Sequence, residues 1–318
     1  MTRIAVAGAS GFVGRHLLRV AANAGLPATG LARSERAADR VREAGGVPVA
    51  FADEPAALAK SLEGCSTLVH LAQIGSERGG ESYEAVNVGL TARLLDAAHR
   101  AGVPRFVMFS GLGVARYGLS RRVTSRYFLS KLTAETAAFG SGIEAVVFRP
   151  SYVVGPGDGF VPSVLRAMQE GEVEVPGDGS YRMQPIAVAD AAAAVLAAAA
   201  RPRGAFPTVF DLVGPEPIAY TQLLGRFERV ARGLGHAVRL RVRQIEIAEA
   251  DRRARSAEGY RAWGPTSSTV SCATRSPTRR RSPRWSAARS SRWTRRSPPP
   301  SGVRRLLERE AAGRASTR

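Results

Sequence analysis

Apolar residues in the first half of the chain follow two alternating rhythms. Short unbroken runs such as Ile4-Ala-Val-Ala7 predict buried strands near residues 3–7, 28–32, 47–51, 67–72, 105–110 and 144–149. Between them, apolar positions three and four apart predict helices near 12–24, 34–44, 55–62, 82–101 and 124–140. Gly25, Gly102 and Gly142 fall just past three of these helices, where a left-handed residue commonly ends a helical turn. Strands and helices in this alternation predict an α/β protein with a doubly wound parallel sheet and right-handed crossovers. After residue 150 the alternation loosens. Helices are expected near 161–170, 189–200 and 220–233, with strands near 208–213 and 237–243. A main domain over 1–150 with a small C-terminal lobe over 151–247 is the expected organisation.

From residue 248 the rhythm is lost. Arg, Ser, Pro and Trp dominate, as in Thr274-Arg-Ser-Pro-Thr-Arg-Arg-Arg-Ser-Pro, and no apolar face recurs that could offset the entropy of ordering. The formal net charge of +19 divides unevenly: +6 over residues 1–247 and +13 over 248–318. Three readings fit the segment 248–318: a disordered tail, a basic arm for polyanions, or GC-rich coding sequence read in a shifted frame. The 44 arginines against two lysines suit the last. No specific nucleic-acid partner is expected from it. The two cysteines, Cys65 and Cys272, supply no disulfide framework, which fits a reducing cytoplasm. The first strand begins at residue 3, so no signal peptide is expected, and no segment is apolar enough over sufficient length to span a bilayer.

The chemistry begins at Gly8-Ala-Ser-Gly11-Phe-Val-Gly14, directly after the first predicted strand and opening the first helix. Gly8 permits the tight turn, Gly11 lets the backbone approach phosphates, and Gly14 lets helix and strand pack closely. The helix N-terminus then presents free N–H groups to an anion. Ser10, Phe12 and Val13 share this loop and belong with it in a dinucleotide site.

A second motif is Tyr127-Phe-Leu-Ser-Lys131, followed by Glu135. Tyr127 and Lys131 stand four apart on a predicted helix and so share a face. A phenol ordinarily titrates near 10, and an adjacent ammonium would lower that value toward a usable general acid/base. Gly-x-x-Gly-x-x-Gly and Tyr-x-x-x-Lys, in this order and separation, resemble the short-chain dehydrogenase/reductase superfamily. The extended and atypical branches, NAD-dependent epimerase/dehydratase-like, are the most similar. They include a nucleotide-binding accessory subunit of respiratory complex I and its bacterial relatives. The resemblance covers about residues 2–245.

That resemblance implies a Rossmann fold in which Tyr127 moves the proton, Lys131 also holds the nicotinamide ribose, and Ser110 supplies a hydroxyl at the end of strand five. The usual hydroxyl of extended members falls on Leu112, which weakens the case for turnover. It also implies cofactor contacts from Asp53, Leu71, Ala72 and Pro150, and places Asn87 and Arg182 at the substrate pocket. The strand-two end reads Leu31-Ala32-Arg33, with an arginine and no acid at the expected ribose position, so NADP is favoured over NAD. Glu35 remains close enough to serve the ribose instead. The four histidines show no ligand spacing, and no metal is assigned. Two functions follow: an NADP-dependent oxidoreductase or epimerase acting on a small carbonyl or alcohol, or a nucleotide-binding sensor or accessory subunit. Substrate and oligomeric state are open.

Overall fold

The computed structural model describes residues 3–77, 79–117, 125–200 and 208–250, with the backbone of 284–286. Its first half alternates as the sequence predicts: β1 (Ile4–Ala7), α1 (Phe12–Asn23), β2 (Ala28–Ala32), α2 (Glu35–Glu43), β3 (Val47–Ala50), α3 (Pro55–Leu62) and β4 (Thr67–His70). A π-helical turn (Glu84–Gly89) leads into α4 (Leu90–Arg100), followed by β5 (Arg105–Phe109), a 3-10 turn (Val114–Arg116), α5 (Arg126–Gly140) and β6 (Glu144–Pro150). Beyond it come β7 (Val153–Val154), α6 (Phe160–Glu170), β8 (Val173–Pro176), β9 (Arg182–Met183) and β10 (Ile186–Ala187). The chain continues through α7 (Val188–Ala199), β11 (Thr208–Val213), β12 (Ile218–Ala219), α8 (Tyr220–Gly233) and β13 (Val242–Ile245), and β14 is Arg284–Ser286.

The main sheet is parallel throughout, in the order β14-β11-β6-β5-β4-β1-β2-β3. Its strands are apolar on both faces because helices cover both. Leu17, Leu18 and Ala21 of α1 and Ala191, Ala194 and Val195 of α7 pack one face. Leu58 and Leu62 of α3, Leu94 and Ala98 of α4, and Ala134 and Ala138 of α5 pack the other. The strand order reverses between β1 and β4, which opens a crevice at their C-terminal ends. At the outer edge, β3 carries Pro48, which lacks an N–H to offer a further strand.

A separate apolar cluster, including Phe160, Met168, Tyr181, Tyr220 and Leu224, forms the small lobe. The main layer nevertheless takes three elements from beyond residue 150, since β11 pairs with β6, β14 pairs with β11 and α7 packs on α1. The expected strand at 237–243 lies later, at Val242–Ile245, where β13 pairs in parallel with β8. The reason is local: His236 to Val238 close a tight turn that places Val238 in the lobe core before extension begins. The expected helix over 82–101 starts as the wider π turn instead, around a buried Asn87. The tail is expected to hold no regular element; Arg284–Ser286 instead adds a strand in parallel beside Asp211–Val213. The rest of residues 251–318 lies outside the described residues.

Buried Arg105 joins the layers. It pairs with Glu144 at 2.7 Å and donates to the carbonyls of Ala198 and Ala199, where α7 presents unsatisfied acceptors.

Candidate functional site

Gly8 sits at the strand-order reversal with φ +82, a conformation L side chains rarely adopt. A Cβ on Gly8 would lie 2.6 Å from the amide nitrogen of Ala72, and one on Gly14 would lie 2.3 Å from the carbonyl oxygen of Gly8. Backbone therefore passes where side chains cannot. The Gly11 N–H donates to the Gly8 carbonyl at 3.1 Å, closing the turn against the start of α1. No side chain caps α1 and its first turn carries no acid, whereas Ser34, Glu54 and Ser125 cap α2, α3 and α5. The first N–H groups of α1 are thus left for an external anion.

Beside this turn lies a cavity of about 320 Å³. Gly8 and Ser10 form one side, and Leu31, Phe51, Ala72 and Leu90 contribute apolar walls. Arg33, Arg36 and Arg40 also line it, and no acid does. Glu35 faces Arg42 in an ion pair of 2.7 Å. Asp53 pairs with Arg93 at 2.8 Å, and the Arg93 guanidinium lies over the Phe51 ring. The acid expected at the adenine is therefore engaged at the surface, and its neighbour Phe51 provides the wall.

The remaining loop residues frame the same crevice. Val13 and Leu71 pack on the sheet core, and the Leu71 N–H donates to Ala7. Phe12 stacks edge-on with His16, whose Nε2 lies 2.9 Å from the carbonyl oxygen of Pro156. The loop at Pro156 and Gly157 is thereby held beside the first turn of α1.

The second half of the site forms where β5 and β6 end against α5. Ser110 donates its N–H to Phe148, and Leu112 donates to the Pro150 carbonyl. A Cβ on Gly111 would lie 3.7 Å from the ring of Tyr127, so the strand-five end and the motif tyrosine are neighbours. The Ser110 hydroxyl is buried and meets no hydrogen-bond partner among the described residues. Tyr83, which no sequence signal marked, stacks edge-on with Tyr127 at 5.8 Å.

Lys131 is only 1% exposed. Burial pushes its ammonium down to about 7, against an opposing pull from Glu135. Glu135 in turn receives two hydrogen bonds from Arg149, at 2.9 and 2.5 Å. The expected lowering of the Tyr127 phenol by Lys131 is not what this structure has. Burial, reinforced by Tyr83, pushes that phenol up, while the charge of Lys131 acts on Glu135 and His70. The physical cause is desolvation, which penalises the charged form of both side chains.

Asn87 is buried with its amide fully engaged by Ile74 and Ser130. Arg182 is exposed and donates to the Pro217 carbonyl in the small lobe. The structure thus gathers Ser110, Tyr127 and Lys131, with Asn87 behind them. Arg36 and Arg40 went unread although they stand four apart on one side of α2, just beyond Arg33, and line the same cavity. Among the described residues no group of three His, Cys, Asp or Glu side chains could hold a metal, and no helix is long and apolar enough to cross a membrane.

An uncapped helix start, a glycine turn closed by backbone and an adjoining cavity with cations together fit a dinucleotide. The model of the NAD dependent epimerase/dehydratase family matches residues 4–212. The chain belongs to that family. A farnesyl-dihydroquinoline-oxide ketoreductase of Stigmatella aurantiaca is 29% identical over 70% of this chain and 71% of its own. Subunit 9 of the NADH dehydrogenase 1 alpha subcomplex of Arabidopsis thaliana is 29% identical over 66% of this chain and 53% of that one. MoeE5, solved with UDP-glucuronic acid and NAD, is 25% identical with a TM-score of 0.60, over 77% of this chain and 86% of its own. In this chain the family's Rossmann sheet is the parallel layer described above.

Proposed function

We propose that this family member is an NADP-dependent oxidoreductase or epimerase acting on a small carbonyl or alcohol, with Tyr127 as its proton carrier. The observation that carries the reading is the approach of the Tyr127 ring to the Ser110–Gly111 end of β5, with Lys131 buried one turn further along α5. Tyr127 keeps its proton in the free protein, as an acid poised to protonate a developing alkoxide should. Lys131, buried one turn further along α5, holds the nicotinamide ribose. Ser110 carries a buried hydroxyl that has no hydrogen-bond partner among the described residues. The nicotinamide, when bound, gives or takes the hydride.

The N–H groups at Phe12, Val13 and Gly14 hold the pyrophosphate, with Ser10 beside them. Ala72, Leu71 and Phe51 flank the adenosine. Arg33, Arg36 and Arg40 receive the 2′-phosphate, and Asn87 acts through Ser130 instead of touching substrate. A free, buried Cys65 accords with a reducing compartment, which we take to be the cytoplasm. The ketoreductase among the relatives supports carbonyl chemistry.

Leu112 in place of a hydroxyl, with Ser110 only 1% exposed, favours a second reading: a nucleotide-holding accessory protein with little turnover. The deciding experiment follows NADPH consumption against a panel of ketones and aldehydes, with wild type and Tyr127→Phe side by side. Consumption lost in Tyr127→Phe at unchanged NADPH affinity is the expected result. Tight NADPH binding without consumption by the wild type would give the accessory reading.

A further inference from the structure

His70 ends β4 with its ring buried against Phe106. Its Nε2 lies 2.9 Å from Thr91 Oγ1, and its Nδ1 meets no hydrogen-bonding atom among the described residues. Thr91 donates its hydroxyl proton to the Asn87 carbonyl at 2.7 Å, so toward His70 it can only accept. The proton of the neutral ring therefore sits on Nε2. The opposite tautomer would demand the Thr91 proton twice and would bury an unpaired N–H at Nδ1. Burial, with the charge of Lys131 added, pushes His70 down to about 3, so the neutral ring persists across ordinary pH.

The chain of bonds continues through Asn87. Its side-chain N–H donates to Ser130 Oγ at 3.0 Å, and Ser130 donates to the backbone carbonyl of Tyr127 at 2.7 Å. Asn87 is fixed independently by the N–H and the carbonyl of Ile74, at 3.0 and 3.1 Å. His70, Thr91, Asn87 and Ser130 are all buried, and each bond has one direction.

We propose that this relay from β4 to the first turn of α5 positions Tyr127, making His70 and Thr91 positioning residues for the proton transfer assigned to it. The proposal rests on that assignment. A hydroxyl at Thr91 is the one link between strand and helix that both accepts and donates. A methyl there would strand the His70 N–H and free the Asn87 carbonyl, and the π turn that aims Asn87 at Ser130 would lose its anchor.

Two measurements on the full chain test this without needing turnover. Long-range proton–nitrogen correlation of the histidine rings in wild type should show His70 neutral and protonated at Nε2 from pH 5 to 8. Protonation at Nδ1, or titration within that range, would overturn the relay. In 3-fluorotyrosine-labelled protein, with the Tyr127 resonance identified by Tyr127→Phe, Thr91→Val should displace that resonance and Thr91→Ser should restore it. A Tyr127 resonance unmoved by Thr91→Val would also overturn the proposal. If Thr91→Val does not fold, the wild-type histidine measurement decides alone. Failure here leaves the NADPH assay of Tyr127→Phe free to decide the catalytic reading separately.

Discussion

At the nucleotide end the protein leaves polar groups open; around Tyr127 it closes nearly all of them. α1 starts without a capping side chain, and three arginines line a cavity that holds no acid. Around α5 the pattern inverts: Arg149 pairs with Glu135, Asn87 uses its whole amide, and His70 reaches Thr91. The difference reflects what each end must do. On the proposed reading a charged ligand completes the first end, and its open groups supply the binding energy. On the same reading the second holds a proton carrier steady, and its groups satisfy one another before any ligand arrives.

The largest break of this contrast is Lys131→Met. It should lower turnover at least a hundredfold, on the scale typical of acid–base groups, and weaken NADPH binding as well. Yet the folded protein should become more stable by about 1–3 kcal/mol at pH 7, because a desolvated charge gives way to a thioether of similar size. Steady-state kinetics and a denaturant midpoint read the two halves, and loss of both together would count against it. Glu135→Ala should have the opposite balance. It leaves Arg149 buried without its partner and should cost about 3–5 kcal/mol in a urea titration.

At the open end, Arg33→Ala should leave the fold unchanged and reduce the preference for NADPH over NADH about tenfold, read as a ratio of dissociation constants. An unchanged ratio would remove the 2′-phosphate from that position.

The pH dependence of stability follows from His70, whose folded value of about 3 lies below its ordinary 6.5. Between these values the unfolded chain binds a proton that the folded chain refuses, so stability rises with pH across the window. From pH 5 to 6.5, above the carboxylate range, the slope should reach up to about 1.4 kcal/mol per pH unit and flatten in His70→Asn. The smallest effect belongs to Ser34→Ala. It removes the 3.3 Å cap bond to Ala37 and should cost about 1 kcal/mol, with a slight loss of NADPH affinity because α2 carries Arg36 and Arg40.

How much of this was legible beforehand divides along the same line. The open end is local in sequence: one strand, one glycine turn and one helix contain it, so Gly8, Gly11 and Gly14 could be read directly. Tyr127 and Lys131 were legible for the same reason, being one turn apart. Their surroundings were not, because Tyr83, His70 and Arg149 arrive from three other segments and no spacing connects them. The direction of the Tyr127 shift was misjudged because desolvation depends on burial, which a motif does not encode. Two-residue strands such as β7, β9, β10 and β12 exist only through partners far along the chain and leave no rhythm to detect. The π turn is a tertiary effect as well, produced where Asn87 reaches Ile74 and Ser130.

The uncapped start of α1 has a consequence for how this protein tolerates change. The phosphate grip proposed there is made of main chain, so the code for it is carried by the absence of side chains at Gly8 and Gly14, where a single methyl meets backbone at 2.6 and 2.3 Å. Ser10, Phe12 and Val13 present the same N–H groups whatever their side chains are. A library randomised over residues 8–14 should therefore keep nucleotide-binding clones of widely varied identity at the middle positions, and return glycine almost alone at these two.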